Sequence, residues 1–290
     1  MLNFRLSEKC HVPEHRSAYF CTMKLILAYF SLLIILAACN NREAGKQSNT
    51  TAEKSVSTRE KMLRDSILKF PESLLLKEEL IQLYRDSTDF NKAITSVEQF
   101  IKIDSLNDRF WNIKAILHFE NEDTLNAIKS FETALRLNPS PRYLILLGSL
   151  YAQTKNERAI AISNALQKSK QPETEKEAFF IRGLYYNYTG EKAKAIAALD
   201  KCLNLDNRHM LAYREKGIAL YDMGKYNDAI TVLDKAVTLQ NNFDEGYYWL
   251  GRCLEKLNKP NDAIEEYRTA LLYAPDYIEA KDALNRLVVK

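Results

Sequence analysis

The stretch "AYREKGIALYDMG" (residues 212–224) and its continuation "NDAITVLDKAVTL" (227–239) decide the fold. In each half the apolar residues recur three and four apart, which places them along one face of a helix. The pair reads as two amphipathic helices joined by a short turn. One such pair cannot bury its own apolar face, so further pairs must stack on it.

The rest of the chain supplies them. Ala-Ile occurs at 93, 127, 161, 195, 229 and 263, a constant interval of 34. Units numbered 1 to 34 from Leu74 carry Ile81, Ala115, Ser149, Gly183, Gly217 and Gly251 at position 8. Position 4 holds Trp111, Phe179, Tyr213 and Tyr247; position 27 holds Ala134, Cys202, Ala236 and Ala270. Pro139 and Pro275 fall at position 32, with Pro71 one unit earlier. Small residues at 8 and 20 let the two helices of a unit approach, and 27 admits the next unit. The third unit, 142–175, departs most: Gly148 and Tyr151 fall one residue early, and Lys168 and Glu173 occupy positions 27 and 32. An altered turn or bend is expected near "QTKNERA" and "SKQPETE".

A 34-residue period with this pattern of aromatic, small and proline positions resembles the tetratricopeptide repeat. The resemblance implies an all-α, right-handed superhelical solenoid of helix-turn-helix units. Six units span 74–277, preceded by a capping helix in 57–73 and followed by another in 278–290. Eight Gly and seven Pro in 290 residues agree with a helical chain.

Ahead of the repeats, Lys24 precedes fourteen residues, "LILAYFSLLIILAA", and then Cys39. A bilayer-spanning helix needs about 20 apolar residues, so this run fits the core of a secretory signal instead. Leu36-Ala37-Ala38-Cys39 resembles a bacterial lipobox. That resemblance implies cleavage before Cys39, acylation of Cys39 and a signal peptide over 1–38. A lipoprotein signal starts a few residues before its apolar run, and twenty-two residues precede Met23, so a start at Met23 is the reading, with Met1 left open. Asn40 after the cysteine favours, by the same resemblance, outer-membrane sorting. Residues 40–56, "NNREAGKQSNTTAEKSV", lack Leu, Ile, Phe, Tyr and Trp and read as a flexible tether, so 39–56 is lipidated Cys plus tether.

Four of the 41 basic and two of the 38 acidic residues precede Cys39, so the remainder is close to neutral. A near-neutral mixed surface argues against nucleic acid as partner. No phosphate loop, HExxH, GxSxG or CxxC is present. The four His are scattered, and His118 reads as packed. Cys202 and Cys253 sit in units that are not neighbours and read as small buried residues, too far apart for a disulfide. No catalytic group, metal site, cofactor or small-molecule substrate is therefore expected, and the chain reads as no enzyme.

What remains is a surface. In tetratricopeptide proteins the first helix of each unit lines a groove through positions 2, 5, 9, 12 and 13. Carried over, these give Arg109, Asn112, Phe180, Asn187, Tyr188, Arg214, Tyr221, Tyr248 and Arg252 as a partner-binding groove. Tyr and Arg are enriched where binding energy concentrates. The Lys/Asn/Arg set by which chaperone-binding members grip a C-terminal carboxylate is missing: position 5 carries Glu78, Asn112, Phe180, Arg214 and Tyr248. The resulting expectation is a protein- or peptide-binding scaffold, tethered to the membrane through lipid on Cys39 in the envelope of a Gram-negative bacterium. The alternatives are a non-lipidated cytoplasmic or inner-membrane-anchored adaptor, and an enzyme or enzyme regulator with a hidden site.

Overall fold

The computed structural model describes residues 57–169 and 171–288. The signal peptide, Cys39 and the tether expected over 1–56 lie outside the described residues. Those described are all-helical, with no strand, and none of their helices is long and apolar enough to cross a membrane. The chain divides into two bodies at Asn138/Pro139. The first holds α1 (57–69), α2 (Leu74–Asp86), α3 (Phe90–Ile103), α4 (Asp108–Glu120) and α5 (Thr124–Leu137). The second holds α6 (Pro141–Gln153), α7 (Arg158–Lys168), α8 (Pro172–Tyr188), α9 (Lys192–Leu205), α10 (Met210–Asp222), α11 (Tyr226–Leu239), α12 (Asp244–Lys256), α13 (Pro260–Tyr273) and α14 (Ile278–Val288). Within each body every helix packs on the next in sequence, and α6, α8, α10 and α12 also touch in succession.

The 34-residue period is written into the turns. Second helices begin at Phe90, Thr124, Arg158, Lys192, Tyr226 and Pro260. Between first and second helix one residue takes a left-handed backbone: Thr88, Glu122, Gly190, Gly224 and Asn258, all at position 15, and Lys155 one position early. Only two of the six are glycine, the residue that adopts this conformation without steric cost, so sequence alone gives little sign of the shared turn. Asp89 and Asp123 then cap α3 and α5 by accepting from the amides of Lys92 and Asn126, which satisfies donors a helix start leaves open.

The position-4 aromatics tie each unit to the loop before it. Trp111 Nε1 donates to the Ser105 carbonyl at 2.9 Å. Tyr213 and Tyr247 donate their hydroxyls to the carbonyls of Asn207 and Asn241, at 3.2 and 3.0 Å. Each ring thus covers apolar surface while its polar tip satisfies a loop carbonyl. Inside the units, Ala93, Ala127, Ala195, Ala229 and Ala263 at position 20 are fully buried. Position 8 meets position 24: a Cβ added to Gly217 would lie 2.8 Å from Leu233, and one on Gly183 2.6 Å from Leu199.

The third unit slips in frame. Helix α6 starts one residue early, and Gly148, not Ser149, faces the neighbours: a Cβ there would meet Ile181 at 2.8 Å and Ile162 at 2.9 Å. In α7 the buried residues are Ala159, Ser163 and Leu166. Ala161, the third Ala-Ile match at the constant interval, is exposed. The adjacent Ala159-Ile160 supplies the buried alanine instead, two residues earlier. Ser163 stands where other units bury Val97, Phe131, Leu199, Leu233 or Tyr267. Its hydroxyl donates to the Ala178 carbonyl at 2.8 Å, which meets the requirement of a buried polar group. Helix α7 ends at Lys168 and α8 gains an extra first turn from Pro172, where Thr174 donates to the carbonyls of Gln171 and Leu166. The frame is back in step by Ala178, which is fully buried.

Candidate partner-binding face

The first helices carry a ladder of polar contacts between successive units, set by one spacing. Residue i on one first helix meets residue i+31 on the next: Glu78 with Arg109, Arg214 with Glu245, Tyr221 with Arg252, and Glu255 of α12 with Arg286 of α14. These pairs join position 5 to position 2, and position 12 to position 9, of the following unit.

In the first body Arg109 bonds Glu78 at 2.7 Å with more than half of its side chain exposed, an arrangement that contributes little to stability. Arg85 pairs with Glu120. Asn112 is buried, and its Oδ1 has no hydrogen-bond partner. His118 is buried, as its position predicts. Its Nδ1 lies 3.2 Å from Asp123 Oδ2 but off the line a hydrogen bond needs, and burial holds the imidazole below its ordinary pKa.

In the second body the rung at Arg214 is desolvated. Asn187 Nδ2 donates to the Glu215 carbonyl at 2.8 Å and to Glu215 Oε2 at 3.0 Å. Arg214 donates to Glu215 Oε1 at 2.9 Å and to Glu245 Oε2 at 2.7 Å. Arg214 and Glu215 are each 5% exposed, and charges taken that far from water persist only when paired. Asn187 and Arg214, expected as groove residues, join α8, α10 and α12 through this network.

One turn further along, Arg252 enters a box of aromatic rings. Its guanidinium carbon lies 5.4 Å from the Tyr221 and Trp249 ring centres and 5.7 Å from that of Tyr248. Nη1 donates to the Tyr248 hydroxyl at 2.9 Å and Nη2 to that of Tyr221 at 3.2 Å. The Tyr221 and Tyr248 rings meet Trp249 edge-on at 5.5 and 5.6 Å. Tyr248 is buried and also packs on Tyr267 and Tyr277, whereas Tyr221 and Arg252 keep part of their surface in solvent.

Of the nine residues read from the repeat positions, Tyr221, Tyr248 and Arg252 form one constellation, and Asn187 and Arg214 share a network. Phe180 is buried with its ring 4.7 Å from that of His209, and Tyr188 is half-buried. Asn112, Phe180 and Tyr248 give most of their area to packing. Position-by-position reading missed Trp249, Glu215 and Glu245. Glu245 was within reach of the i+31 spacing, and Trp249 and Glu215 lie three residues and one residue from Arg252 and Arg214 on the same helices.

Cys202 and Cys253 are fully buried free thiols, pushed up to about 12 by burial, so neither is a ready nucleophile. Among the described residues no three His, Cys, Asp or Glu side chains gather to hold a metal.

Three family models, each of the tetratricopeptide repeat, match the chain over residues 220–287, over 79–141 and 114–167, and over 176–209. The chain is a tetratricopeptide-repeat protein. No match was found among curated proteins. Among solved structures, a tetratricopeptide repeat protein from Parabacteroides merdae ATCC 43184 superposes with a TM-score of 0.68 at 18% identity, over 85% of this chain and 97% of that one. PilW, a type IV pilus biogenesis factor, gives 0.55 at 20% identity, over 72% and 97%. The Cut9-Hcn1 hetero-tetramer of the APC/C gives 0.54 at 20%, over 78% and 45%. At such identities the likeness is one of fold: stacked tetratricopeptide units.

Proposed function

We propose that this tetratricopeptide-repeat protein is an envelope lipoprotein that works as an adaptor, holding a partner protein against the first-helix face of its repeats. The observation that carries the binding role is the aromatic and arginine constellation on that face. Tyr221 and Arg252 reach solvent there, backed by the buried Trp249 and Tyr248, and combine rigid aromatic area with a donor fork. The work done is docking, with no chemistry of its own.

The membrane half of the proposal rests on "LILAYFSLLIILAAC". A single acyl chain anchors only marginally, whereas a diacylglyceryl group plus an amide-linked chain on Cys39 would hold the protein at a membrane without a spanning helix. Asn40 supports the outer membrane as the destination. The test is to express the chain in a Gram-negative host with labelled fatty acid and compare it with Cys39→Ala. Label on the wild type alone supports the lipoprotein. Label on neither removes it and leaves a non-lipidated adaptor. Crosslinked capture from native membranes then tests the binding role; a chain that captures nothing above the level of a scrambled control overturns it.

A further inference from the structure

Among the described pairs at the i+31 spacing between first helices, the one at Arg252 has no acid. Arg109 has Glu78, Arg214 has Glu245, and Arg286 has Glu255. Arg252 occupies the same kind of rung, but the residue 31 positions before it is Tyr221. Both of its hydrogen bonds go to neutral phenols, and among the described residues no carboxylate lies within ion-pair distance of it. The neighbouring rung makes the contrast direct. There position 12 is Glu255 and position 9 of the following helix is Arg286, and the two form an ion pair at 2.7 Å.

Arg252 is also held in place. A guanidinium has five N–H donors, and two hydroxyls orient this one while three rings flank it. The rings displace water without neutralising the charge. An anion arriving at such a cation meets a fixed fork and loses little to reorganisation.

We propose that Arg252, oriented by Tyr221 and Tyr248 beside Trp249, is a subsite for a carboxylate of the docked polypeptide, which completes the missing acid of this rung. The inference rests on the adaptor reading and specifies what that face recognises. It also gives Tyr221 a role: a glutamate at that position, as in the next unit, would close the site from within.

The test uses the full chain purified in detergent, with Trp111→Phe so that emission reports Trp249 alone. Two probes are titrated: acetylated, amidated hexaglutamate, and pentaalanine with a free C-terminal acid, with hexaglutamine amide as control. A saturable change with hexaglutamate assigns a side-chain carboxylate, and one with pentaalanine acid a chain terminus; hexaglutamine gives neither. Arg252→Gln weakens the productive probe at least tenfold. Tyr221→Glu, which supplies an internal acid and keeps the arginine, weakens it comparably while the chain stays folded by circular dichroism. The proposal is overturned if neither acid probe saturates, if Arg252→Gln and Tyr221→Glu bind as the parent does, or if inorganic phosphate binds as tightly as the better carboxylate. Crosslinked capture separates the two readings. A partner still captured by Arg252→Gln sinks the subsite and leaves the adaptor; no capture by the parent sinks the adaptor, and the titration still decides the subsite.

Discussion

Gly251 of α12 lies so close to Tyr267 of α13 that a Cβ on the glycine would sit 2.6 Å from the ring Cε1. Tyr267 is fully buried, with its hydroxyl bonded to Glu255, so the ring cannot swing aside without breaking that bond. Gly251→Ala is therefore expected to destabilise the protein by about 1–3 kcal/mol through overpacking. Urea unfolding checks it through the midpoint at constant slope.

The frame slip in the third unit makes a paired prediction. Ala229→Leu and Ala159→Leu place three carbons where no space exists, and each is expected to cost about 1–3 kcal/mol. Ala161→Leu alters an exposed site and is expected to stay within about 0.5 kcal/mol of the parent. A strict 34-residue frame demands the reverse order for 159 and 161, so thermal melts of the two variants decide between them.

Removing Arg214 exposes the cost of its network. Arg214→Met leaves the buried Glu215 and its neighbour Glu245 without their cation, and the expected loss is about 3–5 kcal/mol. Arg109→Met breaks an exposed pair, with an expected change of about 0–1 kcal/mol. Similar losses for the two would mean that burial does not govern the ladder.

The left-handed turn residues offer a gain. Thr88 and Lys155 hold φ of 56° and 58°, a region that costs a side-chain-bearing residue about 1–2 kcal/mol. Part of this is offset by the extra entropy glycine loses on folding. Thr88→Gly and Lys155→Gly are each expected to raise stability by up to about 1 kcal/mol; unfolding at equal or lower urea than the parent would contradict this.

Stability should also vary with pH at Glu266. Burial, and then Asp234, Asp262 and Glu265, hold its carboxyl above the ordinary value of 4.5. The folded state therefore binds this proton more tightly than the unfolded chain. The contribution is present below pH 4.5 and is lost as pH rises through the folded value. Glu266→Gln should raise the melting temperature at pH 7 and leave it nearly unchanged at pH 4, a difference that scanning calorimetry at the two pH values reads directly.

The repeats were legible in the sequence because small residues at fixed spacing leave a trace that no tertiary context can erase. Glycine at 183, 217 and 251 and alanine at 195, 229 and 263 mark where two helices must touch, and they touch there. The binding face was legible only in part. Positions 5, 9 and 12 named Arg214, Tyr221, Tyr248 and Arg252, but facing direction alone could not separate the buried Arg214 from the solvent-reaching Arg252. Exposure at those positions depends on the groups packed around each: the acids Glu215 and Glu245 beside Arg214, and the phenols of Tyr221 and Tyr248 with the indole of Trp249 beside Arg252.

The sequence by itself determined the helical class, the 34-residue unit and the places of closest approach, since each is a local matter of periodicity and side-chain volume. The tertiary structure alone decided that α7 buries Ala159 rather than Ala161. Two alanines two residues apart are equivalent until the helix must face both α6 and α8. It likewise decided which first-helix arginines meet an acid of a neighbouring unit, as Arg109, Arg214 and Arg286 do and Arg252 does not, because such a pair is a property of two helices brought within about 4 Å of contact and is written in neither one alone.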